Sequence, residues 1–374
     1  MCKKRLLCII GNMNAGGAET FLIKMYRSID RSNYQMDFCI NTPNECFYED
    51  EIKTLGGKIY RIPAKSQSLK AFKNGLSDCI KSGDYKYVLR ITSSAMGFMD
   101  LKIAKKAGAE ICSVRSSNSN DGNALKSKIA HFLGKIFYRK YVDVKIAPSD
   151  LAAKYTFGKK AYRRGEVHIL HNALDLNVYN FDEQARKNIR KEFSITDNVK
   201  VIGHIGRFMS QKNHLFLLDV FNEIHKQNQN TVLMLVGKGE LEDKIKEKIM
   251  ALNLESCVIF TGVRSDIPAL LSAMDVFVFP SFYEGMPNTV IEAQATGLPC
   301  LIADTITKEA NVTGLVRYMP LKNPEEWAKE AINMVSDTRM QTKEILIEKG
   351  YDIESISKEF VRLVFGENKE IVGK

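Results

Sequence analysis

Three strings in this chain join glycines, cations and carboxylates to the ends of short apolar runs. The first is Gly11-Asn12-Met13-Asn14-Ala15-Gly16-Gly17-Ala18-Glu19, a loop that opens a helical pattern. Its paired glycines let backbone N–H groups approach a phosphate or sugar closely, at a helix end that favours anions. Taken alone, a plain tight turn reads equally well. The second is Gly203-His204-Ile205-Gly206-Arg207-Phe208, followed by Gln211-Lys212-Asn213-His214. Arg207 and Lys212, five positions apart between a strand and a helix, can converge on one diphosphate, one as a fork and the other as a point charge. The rival reading is two solvated surface cations. The third string is Phe279-Pro280-Ser281-Phe282-Tyr283-Glu284-Gly285-Met286-Pro287-Asn288-Thr289-Val290-Ile291-Glu292. Free N–H groups over Gly285–Thr289 suit an anion, and Glu284 and Glu292 can accept hydrogen bonds from sugar and ribose hydroxyls.

The spacing Glu284-x7-Glu292 after a Pro-Ser strand end resembles the retaining nucleotide-sugar glycosyltransferases of family 4, which have the GT-B fold. Gly206-Arg207-Phe208 with Lys212 resembles that family's diphosphate motif, and Gly16-Gly17-Ala18-Glu19 its first glycine loop. Val236-Gly237-Lys238-Gly239, Phe260-Thr261-Gly262-Val263 and His171-Asn172-Ala173-Leu174-Asp175 look like further family strings, in family order, and the likeness is greatest to the bacterial capsular and exopolysaccharide branch. The resemblance implies that Arg207 and Lys212 neutralise the donor diphosphate, that Glu284 holds donor-sugar hydroxyls and that Glu292 binds the ribose. It places the nucleobase against backbone groups of Val263 and Arg264. Gly206, Gly285, Met286, Pro287, Asn288 and Thr289 line the rest of the donor site, and Gly16 and Gly17 lie near the phosphate and acceptor. Relatives often carry histidines after the fourth and fifth strands. Arg90 and the string Arg115-Ser116-Ser117-Asn118 stand there instead, so Arg90, Arg115, Ser117 and Asn118 become candidates for the acceptor and donor-sugar side. The chain has no D-x-D string of the kind that holds a metal in GT-A enzymes. Neither a metal nor another cofactor is therefore expected, the nucleotide sugar being a substrate.

These residues need rigid elements to hold them. Apolar strand-like runs alternate with helical patterns throughout: Arg5–Ile10, Tyr34–Ile40, Lys58–Ile62, Tyr87–Ile91, Glu110–Val114, Val142–Ala147 and Val167–Leu170, then Val199–Ile205, Thr231–Val236, Cys257–Phe260, Asp275–Phe279 and Pro299–Ile302. Such alternation implies parallel sheets with right-handed crossovers. The polar stretch Asn177–Arg190 reads as the interdomain link. The expected fold is α/β, of GT-B type, with two Rossmann-like doubly wound domains facing across a cleft. Residues 1–175 form the acceptor-binding domain and 176–351 the nucleotide-sugar-binding domain, with a C-terminal helix at about 352–374 packing back on the first. Ligands of open parallel sheets bind beyond the carboxyl ends of the strands, where the three strings lie.

Composition bounds the function classes. The 374 residues are 45% hydrophobic and 26% charged, ordinary for a globular chain of two domains. The net charge of +10 is uneven: residues 1–180 carry 30 Lys/Arg against 16 Asp/Glu, and residues 181–374 carry 24 against 28. Eight cysteines show no C-x-x-C spacing, which reads as reduced thiols rather than a disulfide framework or zinc site. The histidines have no metal-ligand spacing, His131 reads as a helix-surface or core-edge residue, and Asp121-Gly122 as a loop. The short apolar run near the N-terminus reads as a strand rather than a secretory signal, so a cytoplasmic location is expected. The segment Ala124–Arg164 holds eleven Lys/Arg against two Asp. Nucleic-acid binding fits the charge but no recognisable module accompanies it. A solvated face or docking on the anionic cytoplasmic leaflet remains, and docking suits a lipid-diphosphate-linked acceptor.

The resulting expectation is a metal-independent retaining glycosyltransferase, peripheral on the inner membrane surface. It would move a hexose or N-acetylhexosamine from a nucleotide diphosphate sugar, UDP-sugar favoured, to a lipid-linked glycan in capsule or exopolysaccharide synthesis. The alternatives are a nucleotide-sugar epimerase of the same fold and a non-catalytic sugar-binding protein.

Overall fold

The apolar runs become strands buried on both faces, because successive side chains point to opposite sides of a sheet. In β1 (Lys4–Ile9), Leu6 and Cys8 enter one core layer while Leu7 and Ile9 enter the other. The structure, a computed structural model, describes residues 3–117, 125–336 and 338–367. It divides into two units: Met1–Ala173 with Gly350–Lys374, and Leu174–Lys349.

In the first unit β1 is joined by β2 (Tyr34–Ile40), β3 (Ile59–Arg61), β4 (Tyr87–Thr92), β5 (Ile111–Ser116), β6 (Val144–Ala147) and β7 (His168–Ile169). They form a parallel seven-stranded sheet in the order β3-β2-β1-β4-β5-β6-β7. The order reverses between β1 and β4, and their carboxyl ends flank the resulting crevice. The helix Ile353–Val364 belongs to this unit, its Phe360 meeting Phe21 edge to face at 5.9 Å.

The second unit holds β8 (Lys200–Ile205), β9 (Thr231–Val236), β10 (Val258–Gly262), β11 (Val276–Phe279), β12 (Cys300–Ala303) and β13 (Val316–Met319). These form a parallel sheet in the order β10-β9-β8-β11-β12-β13, which reverses between β8 and β11.

Two local expectations change. The stretch read as a link contains a helix, Glu183–Glu192, capped by Asp182, whose Oδ1 accepts from Gln184 N at 2.8 Å and Ala185 N at 2.9 Å. Arg115 lies within β5 rather than in a loop after it. The described cysteines are all buried free thiols, and Cys2 lies outside the described residues. Among the described residues no helix is long and apolar enough to cross a membrane.

Candidate active site

At the switch point of the second sheet, the strand ends of β8 and β11 bring the second and third strings together. Gly206 begins a loop zipped onto the end of β9: Gly206 N donates to Val236 O at 3.0 Å and Phe208 N to Lys238 O at 3.0 Å. That approach needs glycine at 237, where φ is 136° and a Cβ would fall 2.2 Å from Gly206 O. Asn213, at φ 55°, then turns the chain into the helix His214–Gln227, a left-handed position that Asn tolerates.

The turn aims Lys212 at the third string. Its Nζ lies 2.7 Å from Glu284 Oε1 and 4.5 Å from the centre of the Phe279 ring. Both charged side chains are mostly enclosed, at 17% and 12% exposure. Arg207 is far more open and lies 3.7 Å from Glu240. Gln211 fastens the two loops, since its carbonyl accepts from Phe282 N at 2.9 Å and its Nε2 donates to Tyr283 O at 2.8 Å. Sequence reasoning gave Gln211 no role, although it adjoins Lys212. Beyond Glu284, half-buried Gly285 and Met286 and buried Pro287 lead into the helix Asn288–Ala295. No side chain caps that helix at Pro287, and Asn288 and Thr289 begin its first turn. Glu292 hydrogen-bonds Tyr179, and burial together with that carboxylate pushes the Tyr179 phenol up. Val263 is exposed. Arg264 turns its guanidinium away to fork onto Asp266 and Glu192 at 2.6 to 3.1 Å.

Two buried histidines support the loop from Gly206 to Asn213. His204 and His214 are 0% and 1% exposed with ring centres 4.7 Å apart. His204 Nδ1 donates to Val278 O at 2.9 Å. Burial, with the charge of Lys212, holds His214 at about 4, below its ordinary 6.5. Between those values the unfolded chain binds the proton and the folded chain does not. Stability therefore falls as pH drops from about 6.5 towards 4. The second unit should melt at a lower temperature at acidic than at neutral pH, and His214→Phe should flatten that slope. An unchanged slope would assign the titration elsewhere.

The first unit has its own polar crevice at the β1–β4 switch point, about 230 Å³, lined by Gly11, Glu19, Arg90, Thr92, Ser93 and Ser117 among others. Gly16 caps the helix Gly17–Ser28 through its backbone alone. Burial raises the Glu19 carboxyl above its usual range. Arg90 is fixed by Asp100 Oδ2 at 2.9 Å and by Ile9 O at 3.0 Å. Arg115 departs from expectation. It is 1% exposed, stacks 3.5 Å above the Phe21 ring and donates to Asn172 Oδ1 at 2.8 Å and Leu170 O at 3.3 Å. That guanidinium is a core strut and does not line the crevice, because its place in β5 turns it into the layer under the helix Gly17–Ser28. Asn118 and Asp121-Gly122 lie outside the described residues. His131 is buried at the core edge, Nδ1 accepting from Ala95 N at 3.2 Å. Among the described residues no group of three or more His, Cys, Asp or Glu is arranged to hold a metal ion.

Comparison with known proteins agrees in kind. The family model for glycosyl transferases group 1 matches residues 199–337. The putative glycosyltransferase EpsF of Bacillus subtilis (strain 168) is 33% identical over 359 residues, covering 94% of this chain and 93% of that protein. The UDP-Gal:alpha-D-GlcNAc-diphosphoundecaprenol alpha-1,3-galactosyltransferase of Escherichia coli is 35% identical over 144 residues, 37% of either chain. The crystal structure of Anabaena Alr3699/HepE in complex with UDP and glucose matches with a TM-score of 0.74 at 18% identity, covering 96% of this chain and 99% of that one, a likeness of fold.

Proposed function

The chain belongs to the group 1 glycosyl transferases with the GT-B fold, and from that premise we propose a retaining transfer of a hexose or N-acetylhexosamine. The donor is a nucleotide diphosphate sugar, UDP-sugar first, and the acceptor a lipid-diphosphate-linked glycan destined for a capsule or exopolysaccharide. The observation that carries this reading is the enclosed Lys212–Glu284 pair at the switch point, 2.7 Å apart. A cation and a hydroxyl acceptor held side by side are what a sugar diphosphate requires.

In this reading Lys212 and Arg207 meet the diphosphate, and the first-turn N–H groups of the helix Asn288–Ala295 face it. Glu284 holds donor-sugar hydroxyls, Glu292 the ribose, and the backbone of Val263 and Arg264 the base. As the glycosidic C–O bond breaks, negative charge grows on the departing diphosphate, and cations already in place lower the barrier. The acceptor hydroxyl bonds to the anomeric carbon on the same face, and its proton passes to the departing phosphate. Fixed cations thereby take the part a metal plays elsewhere. The crevice with Gly11, Glu19, Arg90 and Ser117 receives the acceptor's polar end. Support for the lipid-linked acceptor comes from the Escherichia coli relative, which acts on a diphosphoundecaprenol-linked sugar, and support for UDP from the bound nucleotide of the Anabaena protein.

A thermal-shift series with UDP-, GDP- and other nucleotide-activated sugars tests the donor. A ligand at about 100 times its dissociation constant stabilises the folded state by about 2.7 kcal/mol, so the true donor should raise Tm by several degrees. With that donor, release of nucleoside diphosphate should require a lipid-diphosphate-linked sugar, and the product should keep the donor's anomeric configuration. Epimerised sugar formed without any acceptor would overturn the reading.

A further inference from the structure

Tyr179 belongs to none of the three strings, yet its phenol hydrogen-bonds Glu292. It stands on a turn just past the boundary between the two units. Asp175 shapes that turn: its carbonyl accepts from Val178 N at 3.0 Å and Tyr179 N at 2.8 Å, and its Oδ1 from Asn177 N at 3.0 Å. Buried Leu174 and Leu176 anchor the start of the turn, and Lys343 Nζ donates to Asn177 Oδ1 at 2.7 Å. Downstream, Asp182 N donates to Ser272 Oγ at 3.3 Å, and the Phe181 ring lies 5.1 Å from the Arg339 guanidinium. Arg339 in turn donates to Thr296 O at 3.4 Å, at the end of the helix Asn288–Ala295 that carries Glu292. Tyr179 itself is half-buried and packs against the core of the second unit. Backbone fastened on both sides therefore delivers its ring to Glu292.

The contact has one direction. Burial, with the charge of Glu292, pushes the phenol up, so at neutral pH it keeps its proton and donates. An ionised carboxylate only accepts, and its two oxygens offer about four lone-pair sites, so one phenol leaves capacity for a vicinal diol. A hydrogen bond to a charged oxygen is strong and directional. It removes beforehand the rotamer freedom that ligand binding would otherwise have to remove from a long side chain. A mere tether between the turn and the helix needs neither polar group: two apolar side chains would serve without the cost of burying a hydroxyl and a carboxylate.

We propose that Tyr179 is a positioning residue, which orients the Glu292 carboxylate towards the ribose hydroxyls of the donor nucleotide. The inference rests on the reading that Glu292 meets the ribose. Tyr179 touches no reacting atom, so its contribution falls on nucleotide affinity and donor KM and leaves the bond-breaking step to Lys212 and its neighbours. A nucleotide without ribose hydroxyls gains nothing from it.

Calorimetric titration of the full chain with UDP and with 2′,3′-dideoxy-UDP tests it, on the parent, Tyr179→Phe, Glu292→Gln and the double variant. Tyr179→Phe should weaken UDP about 3- to 10-fold, the effect of one lost side-chain restraint, and leave dideoxy-UDP within about twofold. Donor KM should rise by the same factor while kcat and Tm stay near the parent's. The double variant should bind UDP no worse than Glu292→Gln alone, because the tyrosine acts through that carboxylate. Equal UDP affinity in the parent and Tyr179→Phe, beside weakened binding in Glu292→Gln, would overturn the inference and leave Tyr179 a tether. So would equal losses of UDP and dideoxy-UDP, which would place its effect away from the ribose. Failure of the underlying reading looks different: the parent binds UDP no better than dideoxy-UDP, and Glu292→Gln changes neither. That result removes both.

Discussion

Lys212→Ala is expected to lower kcat for sugar transfer about 10²–10³-fold, the loss typical of removing one preorganised donor from a developing anion. The geometry explains why this lysine rather than Arg207 should dominate. Lys212 is 17% exposed and held by Glu284 and the Phe279 face, so its position is set before substrate arrives and its field is little screened. Arg207 is 69% exposed, and its removal should cost less and should fall more on KM. Glu284→Ala should lower kcat comparably, through lost sugar hydroxyl contacts and a Lys212 left without its partner. The double variant should lose much less than the product of the two single losses, because each single change already breaks the shared pair. Lys212→Arg should recover part of the rate. Melting curves near the parent's would show the fold intact. Unchanged turnover in both single variants would remove these residues from the site.

The pairing of Lys212 with Glu284 bridges 72 positions of chain, yet both residues were legible beforehand. Each follows a parallel strand, and open parallel sheets collect such loops at one edge. The sheet order then supplied what periodicity cannot: β8 and β11 are neighbours at the reversal. Gln211 was missed because its function is to join two loops, Phe282 N to its carbonyl and its amide to Tyr283 O, and such a bridge has no local signature. Arg115 was misplaced for a different reason. Strand ends are the least certain part of a sequence reading, and a two-residue extension of β5 moved this guanidinium from a loop into the core beside Phe21.

The helix Leu125–Tyr138 shows the limit of periodicity itself. The stripe from Ile129 to Phe137 reads as amphipathic in any treatment, but periodicity gives a face without saying what it meets. Gly134 against Ala95, and His131 between Ala95 and Tyr155, decide that the polar face packs inward. Those are tertiary facts, as is the exposure of Lys128, Arg139 and Lys140 beside exposed apolar side chains.

Asp275→Ala is expected to destabilise the second unit by about 3–5 kcal/mol, the cost of breaking a buried ion pair from one side. Asp275 is 5% exposed and stands immediately before β11. Its Oδ1 takes Arg186 Nη2 at 2.8 Å, and its Oδ2 takes Val201 N at 2.7 Å and lies 3.5 Å from Arg190 Nη1. Removing it takes the bonded carboxylate from Arg190, 3% exposed, which keeps carbonyl partners such as Thr196 O at 2.7 Å and Val199 O at 2.5 Å. Burial already holds that guanidinium below its usual range, and neighbouring Arg186 adds to the effect. The same carboxylate ties the helix Glu183–Glu192, which begins within the stretch that reads as the interdomain link, to β11, whose following loop holds Glu284. Asp275→Asn should fall between parent and Asp275→Ala, since it keeps an acceptor for Val201 N but loses the charge. In urea the midpoint should drop with little change in the slope. Donor binding per folded molecule should survive, because no atom of Asp275 is assigned to the ligand. If Asp275→Ala melts with the parent, carbonyl oxygens alone hold the two arginines, and the helix Glu183–Glu192 owes its place to apolar packing.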